Sequence, residues 1–235
     1  SFTGTDANNN TLIGKDAGTA ITTSDNNVAV GKGALDACTT SPSNTCVGAN
    51  AGGAITTGNG ENVCVGNNAG AGMTTGQQNI AIGDNACANG TLTGTTNVVI
   101  GDNAGLVLSS GTGNVALGYR VLASNTTANT NTGIGYEALA ANTTGDKNTA
   151  VGAYSLDAST TAENNTAVGY AALGVNTTGD LNTAVGSFAL DANTTGEMNT
   201  AVGQGALTVA TTPNNNTAVG HAALHVTTTG ESNTA

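Results

Sequence analysis

The chain has 235 residues, with 35 Gly but only two Phe, four Tyr, two Pro and no Trp, so a conventional core of bulky side chains is excluded and the apolar share falls largely to Ala and Val. Fifteen acids against four bases give a formal charge of −11, which repels phosphate backbones and anionic membranes and argues against nucleic acid as a partner. No apolar run reaches the roughly eighteen residues of a spanning helix, and no basic-then-apolar start reads as an export signal, so membrane insertion is not expected.

Along the chain, a short tetrad of Asn, a small residue, a small apolar residue and an aliphatic is closed again and again by Gly. The closing glycines are Gly14, Gly31, Gly48, Gly66, Gly83, Gly101, Gly118, Gly135, Gly152, Gly169, Gly186, Gly203 and Gly220. Their spacing is 17 residues, stretched to 18 only between Gly48 and Gly66 and between Gly83 and Gly101. A unit this short holds two strands of about five residues and two corners, not the helix pair of an α-solenoid. The expected fold is therefore all-β: a parallel β-solenoid, or β-roll, of about thirteen 17-residue coils with two short strands per coil.

The array reads as one continuous solenoid over 1–235, divergent over 1–117 and regular over 118–235, where the unit is N-T-A-V-G-x-x-A-L-x-x-N-T-T-G-(D/E)-x. Because it starts at Ser1 and stops at Ala235 within a unit, it is expected to be a fragment of a longer repeat region. Stacked about 4.8 Å apart, the coils would span roughly 60 Å and superpose equivalent residues in columns.

One aliphatic column runs from Ile13 through Val151, Val168, Val185 and Val202 to Val219 and is expected to be buried. Two places earlier, on the same strand face, stand Val28, Val63 and Ile80 early and Thr149, Thr166 and Thr183 later. A second apolar column contains Leu35, Leu122, Leu139, Leu156, Leu173, Leu190, Leu207 and Leu224. Gly18, Gly52, Gly70 and Gly105 take its place early, where coils should be thinner or differently packed. The opposite strand face, Ala29, Ala81, Ala150, Ala167 and Ala184, is nearly free of side chain and reads either as a smooth solvent surface or as an interface with another chain.

Each unit begins with Asn, among them Asn148, Asn165, Asn182 and Asn199, and Asn125, Asn142, Asn176 and Asn193 mark the second corner. Asn tolerates left-handed dihedrals, and stacked amides donate to the coil beneath, so both columns are read as structural ladders rather than chemistry. The corner acids Asp146, Glu163, Asp180, Glu197 and Glu231 would repel at coil spacing, which leaves either a solvated corner or a Ca²⁺ site at Asp146, Asp180 and Glu197. Cys46 and Cys64 share a column of adjacent coils, close enough for a disulfide, or serve as small apolar filler where other coils hold Ala; Cys38 and Cys87 have no such partner.

Catalytic signals are absent. His221 and His225 are the only histidines and read as surface residues, the Gly-rich tracts such as 51–60 lack the Lys of a phosphate loop, and no coil is interrupted by clustered acids or bases. The Asn-x-Thr sequons at Asn125, Asn142, Asn164, Asn176, Asn193 and Asn215 read either as a row of sugar sites or as a by-product of the ladders.

The motif N-T-A-V-G-x-x-A-L resembles the head repeats of trimeric autotransporter adhesins, and the repetitive shafts of bacteriophage tail fibres and large marine repeat proteins, over essentially the whole chain. The resemblance implies a trimer of left-handed parallel β-rolls acting as stalk or adhesive head. The expected function is a non-enzymatic fibre shaft or adhesin on a cell surface, filament or virion. It would self-associate as a homotrimer or end to end and attach to a glycan or cell-surface receptor. The alternative is an ice-binding solenoid that uses Thr columns such as Thr143, Thr177 and Thr194, although Thr143 and Thr144 point to opposite faces and leave single columns rather than pairs.

Overall fold

A computed structural model describes residues 7–226, 228 and 230–235, and shows an all-β chain organised as parallel β-solenoid coils. Ser1, the point at which the array was read as opening within a unit, lies outside the described residues. Two compact units are distinguished, Ser1–Leu117 and Gly118–Ala235.

The first unit carries β1 (Thr11–Ile13), β2 (Val28–Val30), β3 (Thr45–Val47), β4 (Val63–Val65), β5 (Ile80–Ile82), β6 (Val98–Ile100) and β7 (Val115–Leu117). Each pairs parallel with the next and in register, so that Val28 faces Thr45 and Cys46 faces Cys64. The second unit repeats the plan with β8 (Thr132–Ile134), β9 (Thr149–Val151), β10 (Thr166–Val168), β11 (Thr183–Val185), β12 (Thr200–Val202) and β13 (Thr217–Val219). There Val151 pairs with Val168, and Val168 with Val185. Side-by-side stacking of identical residues is thus the organising relation.

Among the described residues each coil carries one three-residue strand, not two of about five. The Thr, Val and Ile content suits that strand. Past it the chain turns repeatedly, because each coil holds positive-φ residues that no strand accommodates. Coil-to-coil bonding continues around these turns all the same, as in Leu139 N–H to Ser155 O at 3.0 Å and Thr143 N–H to Thr160 O at 2.9 Å.

The closing glycines have two reasons to be Gly. Gly186 sits at φ +136°, and a Cβ there would lie 2.5 Å from the carbonyl oxygen of Gly203 in the next coil; Gly118 stands in the same relation to Gly135. The strand must end there.

The strand faces are the reverse of the sequence expectation. Mid-strand Ala29, Ala81, Ala150, Ala167 and Ala184 are fully buried, while Val151 and Val168 are half-buried and Val185 and Val202 are 37% and 36% exposed. Alternation along a strand identifies two faces but not which one looks inward. Here the choice is made by the Asn that precedes each strand, since Asn148 shares the face of Ala150 and must be buried to make its ladder. The Ala face is core, and an interface through it is thereby excluded.

Within each unit that ladder runs from coil to coil. Asn165 donates its backbone N–H to Asn148 Oδ1 at 3.0 Å, and its Nδ2 to the same oxygen at 3.2 Å and to Gly179 O at 3.0 Å. Asn199 repeats the pattern on Asn182 and Pro213 O, and Asn182 donates its backbone N–H to Asn165 Oδ1 at 2.9 Å and its Nδ2 to Gly196 O at 2.8 Å. From Asn27 to Asn216 the ladder amides are buried and bonded to Asn of adjacent coils, which fixes register because a slipped coil would strand them. The left-handed dihedral expected of the ladder Asn belongs instead to the residue before it, as in Lys147 (φ 59°) and Leu181 (φ 61°).

The Leu column is buried as expected from Leu35 to Leu207, with Leu156, Leu173 and Leu190 at 0% exposure, and half-buried at Leu224, yet its members sit in the left-handed region, at φ 49° to 54° from Leu35 to Leu224. Where Gly replaces Leu, a large residue three positions on fills the space: Ile21, Ile55, Met73 and Leu108 follow Gly18, Gly52, Gly70 and Gly105, and all four are buried. Where Leu is present, that later position is Cys38, Asn125, Asn142, Ser159, Asn176, Asn193 or Ala210. Core volume is conserved by two alternative arrangements, and the early coils are differently packed rather than thin.

Candidate functional site

All four tyrosines and one of the two phenylalanines lie on a single stripe of the second unit. Tyr119, Tyr136 and Tyr170 are the first residue after a closing glycine, and Tyr154 and Phe188 the second. Both positions turn the same corner, and the backbone holds them in step: Tyr154 N–H donates to Tyr136 O, and Phe188 N–H to Tyr170 O, each at 2.9 Å. Successive ring centroids are 5.0, 5.3, 5.9 and 5.2 Å apart. The first pair stacks at an interplanar angle of 21°; the others stand at 62°, 83° and 73°. Edge-to-face contact of this kind contributes about 0.5–1.5 kcal/mol per pair beyond burial. Tyr136, Tyr170 and Phe188 nevertheless remain 45%, 49% and 40% exposed.

Beside the rings lie two carboxylates. Tyr154, Tyr170 and Phe188 border a cleft of 410 Å³ that also takes in Asp157, Gly174 and Asp191. Asp157 and Asp191 occupy the same column two coils apart, and between them Gly174 leaves a notch, where a Cβ would meet Asp191 Oδ1 at 3.4 Å. Burial raises both carboxyls above the ordinary carboxylate value; for Asp157 the backbone N–H of Ala158 works against that shift. Among the described residues the ion pairs are Lys15 with Asp16 and Arg120 with Glu137, so neither cleft carboxylate has a salt-bridge partner there. A second cleft of 380 Å³ shares Phe188 and Asp191 and is bordered by His221 and His225, both exposed.

The residues singled out by sequence are dispersed by comparison. Asp146 accepts the Asn129 N–H at 2.6 Å and Asp180 the Glu163 N–H at 2.7 Å, while Glu197 donates its own N–H to Asn214 Oδ1 at 2.7 Å. The side chains of Asp146, Asp180 and Asn214 thus cap the backbone of the preceding coil, and among the described residues no group of three or more His, Cys, Asp or Glu is disposed to hold a metal such as Ca²⁺. Cys46 and Cys64 face one another in register as free, buried thiols, and a hydrogen bond between them together with burial pushes the Cys46 thiol well up. Their sulfurs occupy space over Gly52 and Gly70 that Leu fills elsewhere.

Of the sequons, Asn125, Asn142, Asn176 and Asn193 are fully buried and closed to glycosylation in the folded chain; Asn164 and Asn215 are exposed. Thr143, Thr177 and Thr194 donate their hydroxyls to the carbonyls of the next coil at 2.9 to 3.0 Å. No helix among the described residues is long and apolar enough to cross a membrane.

The aromatic stripe escaped the sequence reading because it alternates between two positions and forms no single column. Its signal was the confinement of nearly every aromatic to 119–188, always one or two places after a closing glycine. Compared with protein-family models, curated proteins and solved structures, the chain has no match.

Proposed function

We propose that this chain is a structural and adhesive segment of an extracellular fibre, on a cell surface, filament or virion, that serves attachment rather than catalysis. The observation that carries this reading is the internal Asn ladder: one set of bonds repeated from coil to coil builds length and rigidity, and among the described residues no coil departs from it to build a catalytic constellation. Self-association, as a homotrimer or end to end, draws on the outward β-branched face, where Ile13, Leu117 and Val219 are 59%, 45% and 61% exposed. Light scattering with electron microscopy of the purified chain tests the proposal. Rods with a mass that is a multiple of the single chain are expected; compact particles of single-chain mass at all concentrations would refute self-association and a shaft.

A second reading, ice binding, is favoured by a different row from that of Thr143, Thr177 and Thr194. The outward strand face of the second unit sets Thr149, Thr166, Thr183 and Thr200 in register beside Val151, Val168, Val185 and Val202, a regular array of hydroxyl and methyl groups. Measurable thermal hysteresis, abolished by Thr166→Lys with Thr183→Lys, would place this reading above the fibre.

A further inference from the structure

We propose that the cleft bounded by Tyr154, Tyr170 and Phe188 receives lysine or arginine side chains from a basic protein surface. This rests on the attachment reading and names the chemistry of the partner.

Three features of the cleft select a cation. Successive rings meet edge to face, at 83° and 73°, and leave Tyr170 and Phe188 49% and 40% exposed, so they form an uneven aromatic wall rather than a flat platform. An ammonium or guanidinium group is attracted to an exposed aromatic face through the ring quadrupole. Asp157 and Asp191 line the same cleft with no counter-ion among the described residues. Incoming basic side chains supply the missing charge, one to each carboxylate.

The notch at Gly174 gives a long aliphatic stem a route past the rings, with Val175, 44% exposed, as an apolar wall beside it. Charge also decides against the other occupants. A second copy would bring the same carboxylates and a formal charge of −11 to meet their like, and an anionic polymer would be repelled for the same reason. The structural role of the ring stack does not require the acids. Tyr119 and Tyr136 stack without them, beside the Arg120–Glu137 pair at 3.6 Å.

The test is fluorescence anisotropy of a labelled hexa-arginine peptide titrated with the whole chain, with a labelled neutral cello-oligosaccharide as a parallel arm. Saturable peptide binding that weakens with salt is expected. The pair Asp157→Asn and Asp191→Asn should weaken it at least about tenfold, and Tyr170→Leu about threefold. A control pair, Asp84→Asn and Asp102→Asn, removes the same charge from the first unit and should change affinity by less than about twofold. Each variant is checked by circular dichroism and melting.

Equal loss in the control pair, or no saturable peptide binding, overturns the proposal. So does oligosaccharide binding that is lost in the cleft variants, which would make the occupant a neutral glycan. If peptide binding fails while rods of multiple mass are still observed, only the cleft assignment falls and the fibre reading stands.

Discussion

Gly52 and Ile55 share one volume: a Cβ built on Gly52 would lie 3.0 Å from Ile55 Cδ1. In the regular coils the equivalent pair is Leu190 and Asn193, with Leu190 at φ 52° and fully buried. Leu→small truncation at such a site costs about 2–5 kcal/mol, offset in part for Leu190→Gly because glycine takes the left-handed conformation without strain. Asn193→Ile alone overfills the coil. The two together rebuild the Gly52–Ile55 arrangement, so the double variant should melt well above either single one, with a coupling of about 1–3 kcal/mol in a denaturation cycle. Additive losses would mean that the two packings are not interchangeable.

Neighbours on β11 test which face is core. Ala184→Asp places a carboxylate among buried amides and Leu side chains and should cost several kcal/mol, enough to abolish cooperative unfolding. Val185→Asp, at a position already 37% exposed, should stay within about 1 kcal/mol of the parent in urea. The opposite ranking would restore the aliphatic column to the interior.

What could be read from sequence is what recurs in a single column. The period, the closing glycines, the Asn148 ladder and the burial of Leu156 each repeat at fixed spacing, and the structure places them accordingly. Three things were hidden for physical reasons. Hydropathy favours Val151 over Ala150 as core, but the Asn ladder commits the Ala side inward. Leucine rarely occupies positive φ, so nothing in its identity shows that Leu156 turns the chain at φ 49° and denies the coil a second strand. Tyr154 and Tyr170 occupy different repeat positions, and only the folded corner brings their rings within 5.9 Å.

The second ladder is imperfect, and its defects are identifiable. Asn193 Nδ2 donates to Asn176 Oδ1 at 2.8 Å, but Asn193 Oδ1 faces a coil that holds Ala210, and Asn142 Oδ1 one that holds Ser159. Among the described residues both oxygens, and Ser159 Oγ, are buried without a partner. An unsatisfied buried acceptor costs about 1–3 kcal/mol. Ser159→Asn places an amide where the neighbouring coils already accommodate Asn142 and Asn176, with its Nδ2 available to Asn142 Oδ1. Stability should rise by about 1 kcal/mol or more, read as a higher melting temperature. A lower one would show that the coil of Leu156 has no room for the larger side chain.

The cleft carboxylates make stability depend on pH in an unusual direction. Burial raises the carboxyl of Asp191 above its unfolded value of 3.8, so between those two values the folded chain holds a proton that the unfolded chain has released. Unfolding free energy from this group therefore falls as pH rises: its contribution is fully present below about 3.8 and is lost as pH climbs through the raised value. Asn cannot ionise, so Asp191→Asn should melt higher than the parent near neutral pH and converge with it in acid. A cation bound in the cleft would relieve the same unpaired charge. Hexa-arginine peptide should accordingly raise the melting temperature of the parent near neutral pH and leave that of Asp157→Asn with Asp191→Asn almost unmoved. A variant that melts lower than the parent at neutral pH would mean that the Asp191 carboxylate is stabilised in the folded chain, and the cleft would then have no unpaired charge for a cation to meet.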